Sequence, residues 1–146
     1  MPISPVVLKR ALLGTLVFCA VSSFGGAVLG VAANGAGVPL RYLEGSPFSS
    51  FVLPGLILGV VVGGTQLLAA VGLWRRRGWA LLASAVAGFG MLIWIFVELA
   101  VIEEYSVLQT IYFALGSVEL ILVFALLGIA PALVRPASVT GDSAPR

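Results

Sequence analysis

The sequence contains no histidine, a single cysteine and few charged residues. Charged side chains make up only 10% of its 146 residues, whereas a soluble domain carries roughly 25%. Hydrophobic residues make up 60%, and the mean hydropathy is +1.16. So few charges cannot cover the surface of a water-soluble globule. The composition therefore predicts an integral membrane protein whose principal partner is the lipid bilayer.

The missing residue types also restrict the chemistry. Without histidine, the chain lacks the commonest general base and the usual ligand of zinc and haem. Cys19 is alone, so it forms neither an intrachain disulfide nor a CxxC pair. The basic residues are not interleaved with aromatic residues, as they are in nucleic-acid grooves. We therefore expect no metal, no cofactor, no nucleic-acid partner and no enzymatic activity.

Four apolar runs organise the chain, and each is long enough to cross a bilayer as a helix, which takes ~20 residues for ~30 Å of hydrocarbon. The runs cover residues 12–33, 51–74, 79–102 and 108–134, with a Gly-, Pro- and Ser-rich loop at 34–50 and a polar tail at 135–146. We expect an all-α polytopic membrane protein, with four transmembrane helices in an antiparallel up-down bundle. The bundle forms one domain over 1–134, and the tail is expected to be disordered.

The basic residues predict how the bundle is oriented. Six of the eight stand at one set of run ends, at Lys9, Arg10, Arg75, Arg76, Arg77 and Arg135, whereas the loop 34–50 holds Arg41 together with Glu44. Under the positive-inside rule, both termini and the arginine turn face the cytoplasm and the loop 34–50 lies outside. Trp74 and Trp79 flank the arginines, where indole rings anchor helices at headgroup level. We expect a multi-pass protein of a bacterial plasma membrane.

Small residues recur at every fourth position in the first two runs. They are Ser22, Gly26 and Gly30 in the first run, and Gly55, Gly59 and Gly63 in the second. Lipid does not drive helices together by the hydrophobic effect, so close backbone contact between small residues is the usual means. Both series lie towards the external loop. We expect the first two helices to cross closely there; the alternative is that one series packs against a second protomer.

Glu119 lies within an apolar run, about eleven residues from its outer start and therefore ~16 Å deep. An unpaired carboxylate near the midplane costs at least ~2.5 kcal/mol. The same estimate places Gln66, Thr65 and either Ser22 or Ser23 at that depth. We expect these residues to form a polar layer in which Gln66 is hydrogen-bonded to a neutral Glu119.

Glu98 lies about nineteen residues after Trp79, which places it near the outer mouth of the bundle. Its neighbours on the same helical face are Ala80, Ser84, Ala87, Met91 and Trp94. This mostly small face is typical of a helix interface, so we expect Glu98 to point inward, within reach of water, Arg41 or Tyr42. Gln109 and Tyr112 are interpreted as interfacial anchors.

Three roles are open for the buried carboxyl of Glu119. It fastens helices together, it is a proton or cation site, or it contacts a partner protein or a lipid headgroup. Intramembrane carboxylates mark ion paths often enough for the second role to be weighed beside the first.

The segment 63–92, GGTQLLAAVGLWRRRGWALLASAVAGFGML, resembles the DoxX-like four-helix membrane proteins. Those proteins also have a Gly-rich helix that ends in a Leu-Gly-Leu-plus-arginine turn, followed by an Ala-rich helix. The whole chain is similar to small four-helix proteins of actinobacteria, and its seven arginines against one lysine suit a GC-rich genome. Some DoxX-like members are associated with redox partners or quinone-linked complexes, so the resemblance implies an accessory role.

The sequence therefore favours a non-enzymatic accessory or scaffold element of a membrane assembly, either as a homo-oligomer or in a larger complex. The alternative is a homo-oligomeric transporter or channel, coupled to protons or cations, with Glu119 and then Glu98 as its sites. A membrane enzyme ranks last, because the two glutamates lie ~10 Å or more apart along the membrane normal and are poorly placed as an acid–base pair.

Overall fold

The computed structural model describes residues 3–102 and 105–129, and this part of the chain is helical, without β-strands. Its long helices are α1 (Pro5–Ala32), α2 (Val52–Trp74), α3 (Ala80–Val101) and α4 (Val107–Leu126), each long and apolar enough to cross a membrane. The expected four-helix architecture is confirmed. The predicted disordered tail at 135–146, and Arg135 with it, lies outside the described residues.

Two helix ends differ from the apolar runs. Helix α1 begins at Pro5 rather than at residue 12, because the hydroxyl of Ser4 accepts a hydrogen bond from the N–H of Val6 and proline suits the first helical position. Helix α4 ends at Leu126 rather than at residue 134. Gly128 follows with φ +76°, a left-handed conformation that commonly ends helices.

The helices form a closed ring in which α1 packs against α2 and α4, and α3 packs against the same two helices. We call the end with the arginine turn the arginine end and the end with the loop 33–51 the loop end. The apolar core towards the arginine end comprises Leu12, Leu16, Ala69, Ala70, Ala87 and Val123. Helices α2 and α3 pack closely in this half and separate towards the loop end.

Helices α1 and α2 cross closely at the glycines, as predicted. A Cβ added to Gly30 would lie 2.9 Å from the Cα of Gly55, and one added to Gly59 would lie 2.7 Å from the Cβ of Ala27. A Cβ on Gly26 would lie 2.9 Å from a methyl group of Leu58. Both glycine series therefore face each other within one chain rather than serving a second protomer.

A π-helical segment, Leu58–Gly63, lies in the middle of α2. In a regular α-helix, residues four apart drift by ~40° around the axis, so three glycines at this spacing would spiral away from α1. The wider i→i+5 turn rotates less per residue. Gly63 consequently still faces α1, where an added Cβ would lie 3.3 Å from the Cβ of Ser23.

A second close crossing, which was not predicted from the sequence, lies between α3 and α4. A Cβ on Gly88 would lie 3.3 Å from the carbonyl oxygen of Gly116, and the reverse distance is also 3.3 Å. In α3, Gly88 follows Ala80 and Ser84 at a spacing of four. In α4, Gly116 is the only glycine and has the large residues Tyr112 and Leu120 four positions away, so that helix offers no matching series. The contact is therefore visible only once the two helices are placed side by side.

The loop between α1 and α2 is folded against the end of the bundle. It contains a short 3₁₀ helix, Leu40–Leu43, in which the side chain of Leu43 is buried. Asn34 accepts a hydrogen bond from the N–H of Phe51 at 2.9 Å, which ties the end of α1 to the start of α2. The loop 34–50, for which no regular element was predicted, thus contains one 3₁₀ turn.

Candidate functional site

Gln66 of α2 and Glu119 of α4 form a fully buried polar pair at the centre of the bundle. The side-chain nitrogen Nε2 of Gln66 donates to Oε2 of Glu119 at 2.9 Å. The same nitrogen lies 3.4 Å from the carbonyl oxygen of Ala87 in α3, to which it donates a longer hydrogen bond. The predicted contact is therefore present, and one amide group links three helices.

Helix α1, the one helix not linked by the Gln66 amide, contacts this pair through Cys19, whose buried thiol lies against the carboxyl of Glu119. Cys19 also packs with Val62 and Met91, which form an apolar layer on the loop side of the pair. Oε1 of Gln66 and Oε1 of Glu119 accept no hydrogen bond from any described residue. The pair is thus enclosed on all sides by the four helices.

The remainder of the predicted polar layer does not assemble around Glu119. The hydroxyl of Thr65 donates to the carbonyl oxygen of Val61 at 2.7 Å, within its own helix. Ser22 is hydrogen-bonded to the hydroxyl of Tyr112 in α4. The prediction used depth alone, whereas consecutive helical residues such as Thr65 and Gln66 point ~100° apart.

A cavity of about 880 Å³ lies in the loop-end half of the bundle, where α2 and α3 separate. Most of its wall is aliphatic, aromatic or glycine. The polar or amphipathic lining residues are Ser22, Ser23, Trp94, Glu98, Gln109 and Tyr112. Val62 and Met91 line its floor and separate it from the Gln66–Glu119 pair beneath.

Glu98 points inward, as predicted, but its neighbours differ from those expected. Its carboxyl lies beside the side chains of Gln109 and Trp94. The guanidinium of Arg41 instead stacks over the ring of Tyr42, 5.3 Å from the ring centroid. Glu98 is the one charged side chain among the described residues that line the cavity.

The interpretation of Gln109 and Tyr112 as interfacial anchors is wrong for both residues. Gln109 is only 4% exposed, because its Oε1 accepts a hydrogen bond from the N–H of Ser106 in a capping box at the start of α4. This bond leaves the NH₂ end of the amide for Glu98. Tyr112 is half-buried and bonded to Ser22, so both side chains are turned into the bundle.

The cavity opens sideways between the helices. Val61 of α2 and Ile93 of α3 line it and are nevertheless 53% and 61% exposed. Leu29 of α1 and Leu108 of α4 also line it and are exposed, across the ring from the first pair. The loop between α1 and α2 lies over the end of the cavity, with Val38, Leu43 and Phe48 in its lining. Access is therefore from the apolar surroundings of the helices.

Within residues 3–102 and 105–129, no group of three or more His, Cys, Asp or Glu side chains is placed to hold a metal ion. The fold and the site define a bundle of four helices that are long and apolar enough to span a membrane, with a sealed polar pair at its centre and an open cavity at its loop end. No protein-family model, curated protein or solved structure matches this chain. Function must therefore be inferred from the site.

Proposed function

We propose that this chain is a non-enzymatic accessory or scaffold element of a membrane assembly. It is a multi-pass protein of a bacterial plasma membrane, with both termini in the cytoplasm. The observation that carries the proposal is the sealed contact between Gln66 and Glu119, which uses the most deeply placed carboxyl to hold helices together. The DoxX-like resemblance suggests a redox or quinone-linked complex as the assembly.

The surroundings of Glu119 favour a structural role, in which its carboxyl holds helices together, over a role in an ion path. A carboxyl that relays protons or cations must exchange with water or with another titratable group. Glu119 is fully buried, and Val62 and Met91 separate it from the cavity. Gln66 donates a hydrogen bond to it and the thiol of Cys19 lies against it, and neither contact opens a route to either end of the bundle.

The alternative, a homo-oligomeric proton- or cation-coupled transporter, is favoured by a different residue. Glu98 is only partly buried and lies in the wall of an open cavity, where an ion or a protonated ligand has access. In that case Glu98 carries the coupling and Glu119 remains structural.

Proton flux into proteoliposomes separates these two functions. We expect the wild-type protein and the Glu119→Gln variant to give the same dye-reported flux as empty liposomes under an imposed pH gradient and membrane potential. A wild-type flux that Glu119→Gln abolishes, with the helical circular dichroism unchanged, would contradict the fastening role. A flux abolished only by Glu98→Gln would establish the transporter.

The accessory role is tested by cross-linking in native membranes before solubilisation. We expect the chain to enter a hetero-complex of fixed stoichiometry, identified by mass spectrometry of the cross-linked species. A chain recovered solely as a monomer or homo-oligomer, at native expression level, would argue against an accessory role.

A further inference from the structure

We propose that the loop-end cavity binds a lipophilic cation, an apolar body carrying one delocalised or quaternary positive charge. This inference goes beyond the accessory role and does not depend on it. The occupant enters sideways from the membrane, places its apolar groups against the aliphatic wall and its charge at Glu98.

The size and wall of the cavity fit such a molecule. A volume of about 880 Å³ lies within the ~300–1,000 Å³ of small-molecule sites, which are mostly apolar with a few placed polar groups. Glu98 and Met91 are about two helical turns apart, ~10 Å along α3. The cavity is therefore deep enough to hold aromatic or aliphatic groups below the level of Glu98.

The charge in the wall determines the sign of the occupant. Glu98 is the one charged side chain among the described lining residues, and Arg41 is engaged with Tyr42 rather than with the cavity. An anionic headgroup would meet uncompensated repulsion in a site of low dielectric constant, whereas a cation would be attracted. The cavity is thus electrostatically complementary to a single positive charge.

The aromatic residues near Glu98 support the same assignment. Trp94 lies one helical turn before Glu98, beside its carboxyl, and Tyr112 lines the neighbouring wall on α4. Indole and phenol rings attract cations through their electron-rich faces, and they do so more strongly where water is excluded. The NH₂ end of Gln109 holds the carboxyl in place from the side.

The test is saturable binding of radiolabelled tetraphenylphosphonium to the full chain in nanodiscs of zwitterionic lipid. We expect one site per chain, and we expect Glu98→Gln to weaken binding by about tenfold or more, since it removes the charge. Glu44→Gln is the matched control, because it removes a negative charge from an exposed loop position at the same end. It should leave the affinity within about twofold. Tetraphenylborate has nearly the same shape and the opposite charge, and it should show no saturable binding.

A second pair of variants tests the cavity by its volume rather than by its charge, in case Glu98→Gln does not fold. Gly90 lines the cavity and has open space where its Cβ would be, so Gly90→Leu should fill the cavity and abolish binding. Gly64 also has open space but does not line the cavity, so Gly64→Leu should bind as the wild type does. Equal binding of tetraphenylphosphonium and tetraphenylborate, or unchanged binding in both Glu98→Gln and Gly90→Leu, would overturn the proposal. Absence of saturable binding to the wild type would also overturn it, without bearing on the accessory role.

Discussion

At the scale of single residues, the two intramembrane glutamates differ in what surrounds them. Glu119 is sealed and shares a hydrogen bond with Gln66, whereas Glu98 borders an open cavity and is only partly buried. A buried polar group that loses its partner keeps its desolvation cost, so removing one member of a pair is worse than removing both. The pair of Gln66 and Glu119 should therefore behave as a unit.

We predict that Glu119→Leu and Gln66→Leu each destabilise the bundle, and that the double variant loses less than the sum of the two. The coupling should be about 0.6 kcal/mol and at most ~1.7 kcal/mol, the range measured for hydrogen bonds between membrane helices. Reversible unfolding in bicelles measures the free energy of unfolding of the wild type, the two single variants and the double variant. Strict additivity would show that the contact contributes nothing to stability.

At the scale of helices, backbone contact between small residues holds α1 against α2. The π-helical segment Leu58–Gly63 keeps the glycines of α2 turned towards α1 over more than two turns. The same segment supplies Leu58, Val61 and Val62 to the cavity wall. The geometry of α2 thus shapes both the helix crossing and the site.

We predict that Gly30→Ala destabilises the bundle by about 1–3 kcal/mol, the usual cost of overpacking. Its Cβ would meet the Cα of Gly55 and the carbonyl oxygen of Phe51, which are backbone atoms and cannot turn aside. Gly14→Ala is the control, because nothing lies within 4 Å of that Cβ. Unfolding in bicelles should separate the two variants, and equal stabilities would refute the close crossing.

Gly59→Leu should be more damaging than Gly30→Ala. Even a Cβ at Gly59 would lie 2.7 Å from the Cβ of Ala27, and the remainder of a leucine has no room between the helices. We expect loss of the folded bundle or of its assembly, seen as a broadened or shifted peak in size-exclusion chromatography. A Gly59→Leu protein that elutes and unfolds like the wild type would contradict the packing.

At the scale of the whole molecule, charge should set which way the bundle is inserted. The arginine end carries Lys9, Arg10 and the three arginines of the turn, and the loop end carries Arg41 among acidic residues. A positively charged cytoplasmic end follows from the positive-inside rule. If the bundle is inserted in this orientation, the loop-end cavity lies in the outer half of the bilayer.

We predict that a cysteine at Arg76, in a Cys19→Ala background, reacts with a membrane-impermeant maleimide only after the cells are permeabilised. A cysteine at Ser50, in the loop, should react in intact cells. Gel-shift labelling checks both positions. The reverse pattern of labelling would show that the bundle is inserted the other way round.

The number and rough extent of the helices could be predicted from the sequence, because apolar length is a local property that needs no knowledge of neighbours. The sequence also predicted the pairing of Gln66 with Glu119 and, with a second protomer as the alternative, the glycine contact between α1 and α2, since spacing and depth along antiparallel helices limit which residues meet. The start of α1 at Pro5 was not predicted, because Lys9 and Arg10 separate its first turn from the apolar run.

Features that depend on helix rotation and on the angles between helices became known from the folded bundle. It separated Ser22 and Thr65 from Glu119, turned Gln109 inward, and brought Gly88 and Gly116 together. The cavity belongs to this class of feature, because a space between diverging helices is not encoded by any one segment. Rotation and divergence are set by packing against all neighbours at once, and for that reason Glu98 acquired its surroundings only in the folded bundle.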